Sequence, residues 1–317
     1  MGMLYLLTAG SSARKVGPRI AVEKDGEIIG RLPVRSIDGV VIGRNAQLTT
    51  QVIFELLELG IPIIYIDDYG KIVGNLCNDK QTAARLIRQI EMFRDSEAQI
   101  LLAREIISEK ISNQQNLLKQ YAKTKDADKL SNKIKRLKTQ GDKINSLNDL
   151  EEIRGAEGMA SKIYFSAFPE LIDLTRWNWK GRSQHPATDP INALLNYGYA
   201  FLEREVRIAI ALAGLDSRIG FFHSNDGRKD ALVYDLMEFF RQPVIDRFVL
   251  NVINRKMISP DDFEKTAEGC RLKFEAQKIW CTRYEEYMAK IYREYNDRNT
   301  RDVICERVKT FSECLRR

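Results

Sequence analysis

Histidine is nearly missing from this 317-residue chain: only His185 and His223 occur, so any imidazole chemistry must use one of two positions. Cysteine is sparse and scattered. Cys77, Cys270, Cys281, Cys305 and Cys314 are odd in number and form no CxxC pair, which argues against a zinc knuckle or a redox dithiol and for free thiols in a reducing compartment. No apolar run approaches the ~18 residues a membrane helix needs, and no basic segment followed by an apolar stretch opens the chain, so we expect a cytoplasmic protein with no membrane contact. Also missing are a GxxxxGK[ST] loop, a GxGxxG turn after a strand and a GxSxG elbow, which removes the common nucleotide-binding and serine-hydrolase signatures. What is present is the composition of a folded protein, 44% apolar with 9% aromatic residues, and a net charge of +6 that permits a polyanionic partner without requiring one.

The pattern predicts an α+β protein with a small N-terminal β-rich domain (1–80) and a larger all-α domain (81–317). Short β-rich runs (MLYLLT, PRIAVEK, EIIGRLP, GVVIG, IPIIYID, KIVGNL) alternate with turn signals, Lys24-Asp25-Gly26 as a hairpin and Asp68-Tyr69-Gly70 as a second turn. One helix interrupts them, TTQVIFELLELG, with Thr49 or Thr50 as its N-cap and Gly60 as its stop. After Asn78 the periodicity becomes helical. One helix is expected from about Thr82 to Tyr121, a second with Leu130, Ile134, Leu137 and Ile144 on one stripe, and a third opened by an Asn148–Glu151 capping box. Asp230 is a plausible cap for the helix after GFFH, Pro243 would kink or end it, and residues 261–317 read as a polar helical tail. From Lys110 to Lys143 there are ten basic and three acidic residues, which suits either a phosphate-facing surface or a solvated lysine-rich face.

Four residues stand out chemically. Glu157 lies among small residues in RGAEGMA, His223 follows two phenylalanines, and Asp235 and Glu238 share a helix face within the apolar LVYDLMEFF. Carboxylates buried in such contexts are costly unless paired or bound to a cation. Two or three carboxylates with one imidazole suit Mg²⁺ or Mn²⁺ better than structural zinc. Taken singly, His223 could be a core histidine, Asp235 and Glu238 the outward face of an amphipathic helix, and Glu157 an ordinary acidic residue early in its helix. Spacing does not bring these helices together. His185, in a loop, reads as structural or solvent-facing.

The blocks EGMASKIYF (Glu157 to Phe165), DPINALLNYGYAFLE (Asp189 to Glu203) and GFFHSNDGRKDALVYDLMEFFRQPVID (Gly220 to Asp246) resemble the signatures of the CRISPR spacer-acquisition integrase family, CRISPR-associated protein one. The N-terminal stretch is similar to that family's β-domain, so the likeness spans roughly the first four-fifths of the chain. It implies a DNA endonuclease and integrase that inserts captured fragments into a repeat array by 3′-hydroxyl attack. It also implies an Mg²⁺ or Mn²⁺ site of Glu157, His223 and Glu238 with Asp235 beside it, homodimerisation through the β-domain, double-stranded DNA as substrate, and CRISPR-associated protein two as partner. Arg182 and Asn192, in or beside the second block, with Lys133, Lys135 and Arg136 of the basic run, are the expected phosphate contacts, and core packing is the expected role of Tyr197 and Tyr199. Ala231 departs from the family's serine. A non-catalytic nucleic-acid scaffold and a transposon integrase of the same fold are the alternatives.

Overall fold

Alternation of burial along the first strands follows from two sheets sharing one core. The computed structural model describes residues 2–68, 70, 72–78, 81–123, 127–183, 186–223, 230–267 and 269–315; Tyr69 of the expected second turn and His185 lie outside them. In chain order the N-terminal part runs β1 (Gly2–Leu6), β2 (Ser11–Val16), β3 (Arg19–Lys24), β4 (Glu27–Pro33), β5 (Ile37–Gly43), β6 (Gln47–Leu48), α1 (Thr50–Glu58), β7 (Ile63–Ile66) and β8 (Ile72–Leu76). One sheet has the order β1-β5-β7-β8 and the other β4-β3-β2-β6. Val40 and Ile42 of β5 face a core shared with Ile20 and Val22 of β3 and Leu56 of α1. Val41, on the opposite face, packs with Met3, Ile64 and Ile208. A strand buried on both faces reads as the continuous apolar run VVI rather than as alternation. The Asp25-Gly26 turn has both residues at positive φ, 53° and 83°, the conformation a two-residue hairpin of matching twist requires.

The mainly helical part begins at Ala83 with α2 (Ala83–Arg94), α3 (Ser96–Ala122), α4 (Ala127–Ile144), α5 (Leu150–Phe165), α6 (Phe168–Leu171), α7 (Pro190–Ala213) and α8 (Ala231–Met237). A six-residue π-helical stretch, Arg241–Asp246, contains Pro243 and leads into α9 (Arg247–Asn254). Next come β9 (Phe263–Thr266), β10 (Gly269–Leu272), α10 (Phe274–Ala289), β11 (Ile291–Tyr292), β12 (Arg298–Asn299) and α11 (Thr300–Cys314). Four local expectations are corrected. The helix expected over 82–121 is two, because Asp95 leaves helical geometry and its carboxylate caps the next helix through the N–H groups of Glu97 and Ala98. The cap of α5 is Asp149 rather than Asn148. Asp230 makes no capping bond and instead pairs with Arg207. The C-terminal segment also carries two short antiparallel hairpins, β9–β10 and β11–β12, so the larger part is predominantly rather than wholly helical.

The two parts meet along α7. Ile208 and Leu212 pack on the outer face of the first sheet. Glu205 accepts from Arg301 of α11 through Nε at 3.0 and 3.1 Å and Nη2 at 2.9 Å. Arg301 also donates to Glu285 at 2.7 Å, whose other oxygen accepts from the backbone N–H of Met3 in β1 at 3.1 Å. Burial makes such a charge-assisted network costly to leave half satisfied, so it fixes one docking of the β-layers on the helices.

Candidate active site

The stripe that buries α3 against the helical core runs Ala103, Ile106, Ile107, Lys110, Ile111, Gln114, Leu117, Leu118. A lysine sits in the middle of it. Lys110 is 7% exposed, and its Nζ lies 2.5 Å from Glu157 Oε1 of α5 and 2.8 Å from Glu238 Oε2, just past the end of α8. Ser161, one turn beyond Glu157, donates to Glu157 Oε1 at 2.9 Å. His223 closes the group, with Nε2 3.9 Å from Glu238 Oε1. Glu157 and Glu238, remote in sequence, therefore meet at one ammonium group, and the His223 imidazole stands beside Glu238.

Asp235 is fully buried and turned the other way. Its Oδ2 accepts from the N–H groups of Phe221 at 2.5 Å and Phe222 at 3.1 Å, and its Oδ1 from the His223 N–H at 2.8 Å. The same Oδ1 is 2.7 Å from His223 Nδ1. A carboxylate only accepts, so Nδ1 carries a proton, and Nε2 is the ring nitrogen turned toward Glu238. Gly220 makes this possible: a Cβ there would stand 2.7 Å from Asp235 Oδ2 and 2.6 Å from the Ala231 carbonyl carbon. The glycine of GFFH lets the loop lie flat on the acid that orients the histidine.

Burial pushes the Glu238 carboxyl up, but the Arg241 and Lys110 cations outweigh it and bring it down to about 2. Burial likewise disfavours a charged Lys110, and Glu238 with Glu157 reverse that and hold it protonated. Arg241 Nε donates to Glu238 Oε1 at 3.1 Å, and its guanidinium lies 4.6 Å from the Tyr199 ring centre, with Arg182 at 5.5 Å from the same ring. Tyr199 and Tyr164 both donate to the buried Asp246, at 2.6 and 2.8 Å. Burial raises that carboxyl to about 6 against these hydrogen bonds.

The expected phosphate contacts divide. Lys135 and Arg136 stand exposed on α4. Lys133 donates to the Ser166 carbonyl at 2.6 Å and lies 3.9 Å from Glu170. Arg182 bonds Asn192 at 2.9 Å and Asn196 at 2.7 Å and is partly buried. Asn192 is fully buried, donates to Gly181 and Asp189, and accepts from Arg182 and Ser183, which leaves it no group for a phosphate; its physical role is to tie Gly181, Arg182 and Ser183 to α7. Lys110, Arg241 and Asp246 were not singled out in the sequence. Arg241 was legible as a base one turn past Glu238, whereas Lys110 was one of ten basic residues in its run and nothing in the sequence marked Asp246.

Divalent-metal chemistry fits this donor set. Two carboxylates share the Lys110 ammonium, Glu238 Oε2 being buried with that cation 2.8 Å away, and an imidazole nitrogen lies 3.9 Å from the second carboxylate. Among the described residues no three histidine, cysteine or carboxylate side chains stand at coordinating distance of one point. The lysine ammonium lies between the two glutamates.

A β-layered N-terminal part packed on a helical remainder, with glutamates, a lysine and a histidine gathered among the helices, defines the class. The chain belongs to the Cas1 family: the model of CRISPR associated protein Cas1 matches residues 4–286. It is 32% identical over 286 residues to a CRISPR-associated endonuclease Cas1 of Methanospirillum hungatei, covering 88% of this chain and 85% of that one. A CRISPR-associated endonuclease Cas1 of Archaeoglobus fulgidus is 31% identical over 278 residues, 82% of this chain and 80% of the other. The fold is that of a Cas1 protein from Thermotoga maritima (TM-score 0.83, 24% identity, 99% and 96% of the two chains) and of a casposase bound to integration product (0.82, 24%, 99% and 90%). A chain of a Cas6-RT-Cas1–Cas2 complex shares it as well (0.79, 22% identity, 99% of this chain and 35% of that one).

Proposed function

We propose that this chain is a divalent-metal-dependent DNA endonuclease and integrase that inserts captured DNA fragments into a CRISPR array. What supports the reading is that Glu157 and Glu238 meet at Lys110 while the His223 Nε2 lies 3.9 Å from Glu238, with Asp235 holding the imidazole from behind. Glu157, Glu238 and His223 would hold Mg²⁺ or Mn²⁺, which when bound would polarise a phosphodiester and stabilise charge on its oxygens during in-line displacement by a 3′-hydroxyl or by water. The protein's own part is positional. Asp235 keeps the proton on Nδ1, Ser161 steadies Glu157, and Arg241 holds Glu238 ionised and in place. Lys135 and Arg136 offer exposed cations to the DNA backbone.

The β-domain is proposed to form the homodimer and contact a Cas2 partner. In support, β4 is exposed along nearly its whole length at the edge of its sheet, with Ile29 61% exposed, the kind of edge that invites pairing. Cytoplasmic action is consistent with the absence, among the described residues, of any helix long and apolar enough to cross a membrane.

The test is strand transfer of a short duplex into a repeat-bearing plasmid with Mg²⁺ or Mn²⁺. Glu157→Ala and His223→Ala should abolish transfer and cleavage while preserving salt-sensitive DNA binding. Retained chemistry in either variant refutes the site, and binding without any metal-dependent chemistry in the parent protein leaves a scaffold role.

A further inference from the structure

Lys110 is an unusual component for a metal-binding cluster. It is a cation anchored on a long rigid helix, almost without solvent access, and it touches the carboxylates of two different elements. Its nitrogen is 2.5 Å from Glu157 Oε1 and 2.8 Å from Glu238 Oε2, while oxygen ligands of divalent ions stand at roughly 2.0–2.6 Å. A divalent ion bound by these two oxygens and an ammonium in contact with both would occupy nearly the same volume, and their like charges repel. The donor set agrees: among the described residues no three ligand side chains share a coordination point, and the ammonium stands at one oxygen of each glutamate.

We infer that Lys110 is a resident counter-cation that holds Glu157 and Glu238 together in the metal-free protein and is displaced from their oxygens when a divalent ion binds. This rests on the proposed metal site and adds an exchange of one cation for another at the same carboxylates. In this role Lys110 is a positioning residue. It pre-assembles an acidic site that would otherwise spring apart by repulsion, and it sets a threshold on metal occupancy. The four-carbon stem permits the movement, since the head can swing while the methylenes stay packed on the apolar stripe.

Mn²⁺ binding, followed by titration calorimetry on the full chain, separates exchange from mere support. Lys110→Met keeps the stem and removes the charge. Under exchange it binds Mn²⁺ about tenfold or more tightly than the parent, because no cation has to leave. Unchanged or weaker binding overturns the inference, and weaker binding is the result if the lysine only props the site. Should Lys110→Met fail to fold, the parent protein supplies the second measurement: acetylation by an N-hydroxysuccinimide ester, read by peptide mass spectrometry with and without Mg²⁺. Labelling of Lys110 should rise several-fold with metal while exposed Lys138 stays constant, and no rise overturns the exchange. Mn²⁺ binding lost in His223→Ala but unaltered in Lys110→Met sinks this inference alone, whereas no Mn²⁺ binding by the parent sinks the metal reading with it.

Discussion

Replacing Asp235 with Asn removes one charge and turns one acceptor oxygen into a donor, and the cost depends on which way the new amide faces. Turned one way, its nitrogen meets the N–H groups of Phe221 and Phe222 and orphans both. Turned the other way, it meets the His223 N–H and Nδ1. The second orientation loses only one backbone bond, because Nδ1 can shed its proton and accept from the amide. At about 1–3 kcal/mol per buried unsatisfied donor, it costs about half as much as the first. The cheaper orientation moves the imidazole proton to Nε2, the nitrogen facing Glu238. Asp235→Asn should therefore lose only about 1–3 kcal/mol of stability while Mn²⁺ affinity and cleavage fall about 10- to 100-fold or more. Paired guanidinium unfolding curves and calorimetric Mn²⁺ titrations check this, with the tautomer read from imidazole ¹⁵N shifts. Parent-like metal affinity, or an imidazole still protonated on Nδ1, would refute the reasoning.

Three other outcomes are expected from the same structure. Asp246, with its folded carboxyl raised to about 6 from the ordinary 3.8, favours folding most below about pH 4 and loses that advantage as pH rises through 6. Relative to Asp246→Asn, the parent should lose about 2 kcal/mol between about pH 4.5 and 7.5, and parallel stability–pH curves for the two proteins would disprove it. Gly220→Ala puts a methyl 2.7 Å from Asp235 Oδ2 and should cost about 1–3 kcal/mol in thermal unfolding, together with metal affinity, since the loop must lift off the acid. Lys135→Ala with Arg136→Ala should weaken binding to any duplex alike and lower the log–log salt slope by about two, whereas an unchanged slope would show that this face of α4 does not meet DNA.

Much of the architecture was legible because it depends on neighbours in sequence. The hairpin at Asp25-Gly26, the helix from Thr50 to Glu58 and the change of periodicity after the last strand reflect local backbone preference and the repeat of apolar residues. Where expectation and structure part, a competing local partner won. Asp95 satisfied the first N–H groups of a new helix better than the old helix could continue, and Asp149 took the cap that Asn148 was expected to supply. β9 and β10 escaped notice because four-residue strands are too short to show a period.

The sequence alone determined which chemical groups were on offer: two histidines, acids in apolar surroundings, and ordered blocks resembling one family. It could not say which acid faces the cluster, because Asp235 and Glu238 are both nearly inaccessible and three residues apart. Tertiary structure decided that. The 221–223 loop lies against one side of α8 and consumes both oxygens of Asp235 with N–H groups and an imidazole, while Glu238, just past the end of α8, meets Lys110 of α3, which also holds Glu157 of α5. Lys110 shows the same division. In the chain it is one of ten basic residues in a run, and only the packing of α3 on α5 turns it from a solvated charge into the cation between Glu157 and Glu238. Hydrogen-bond direction and close approach between distant segments are properties of the assembled fold, and no periodicity in the sequence encodes them.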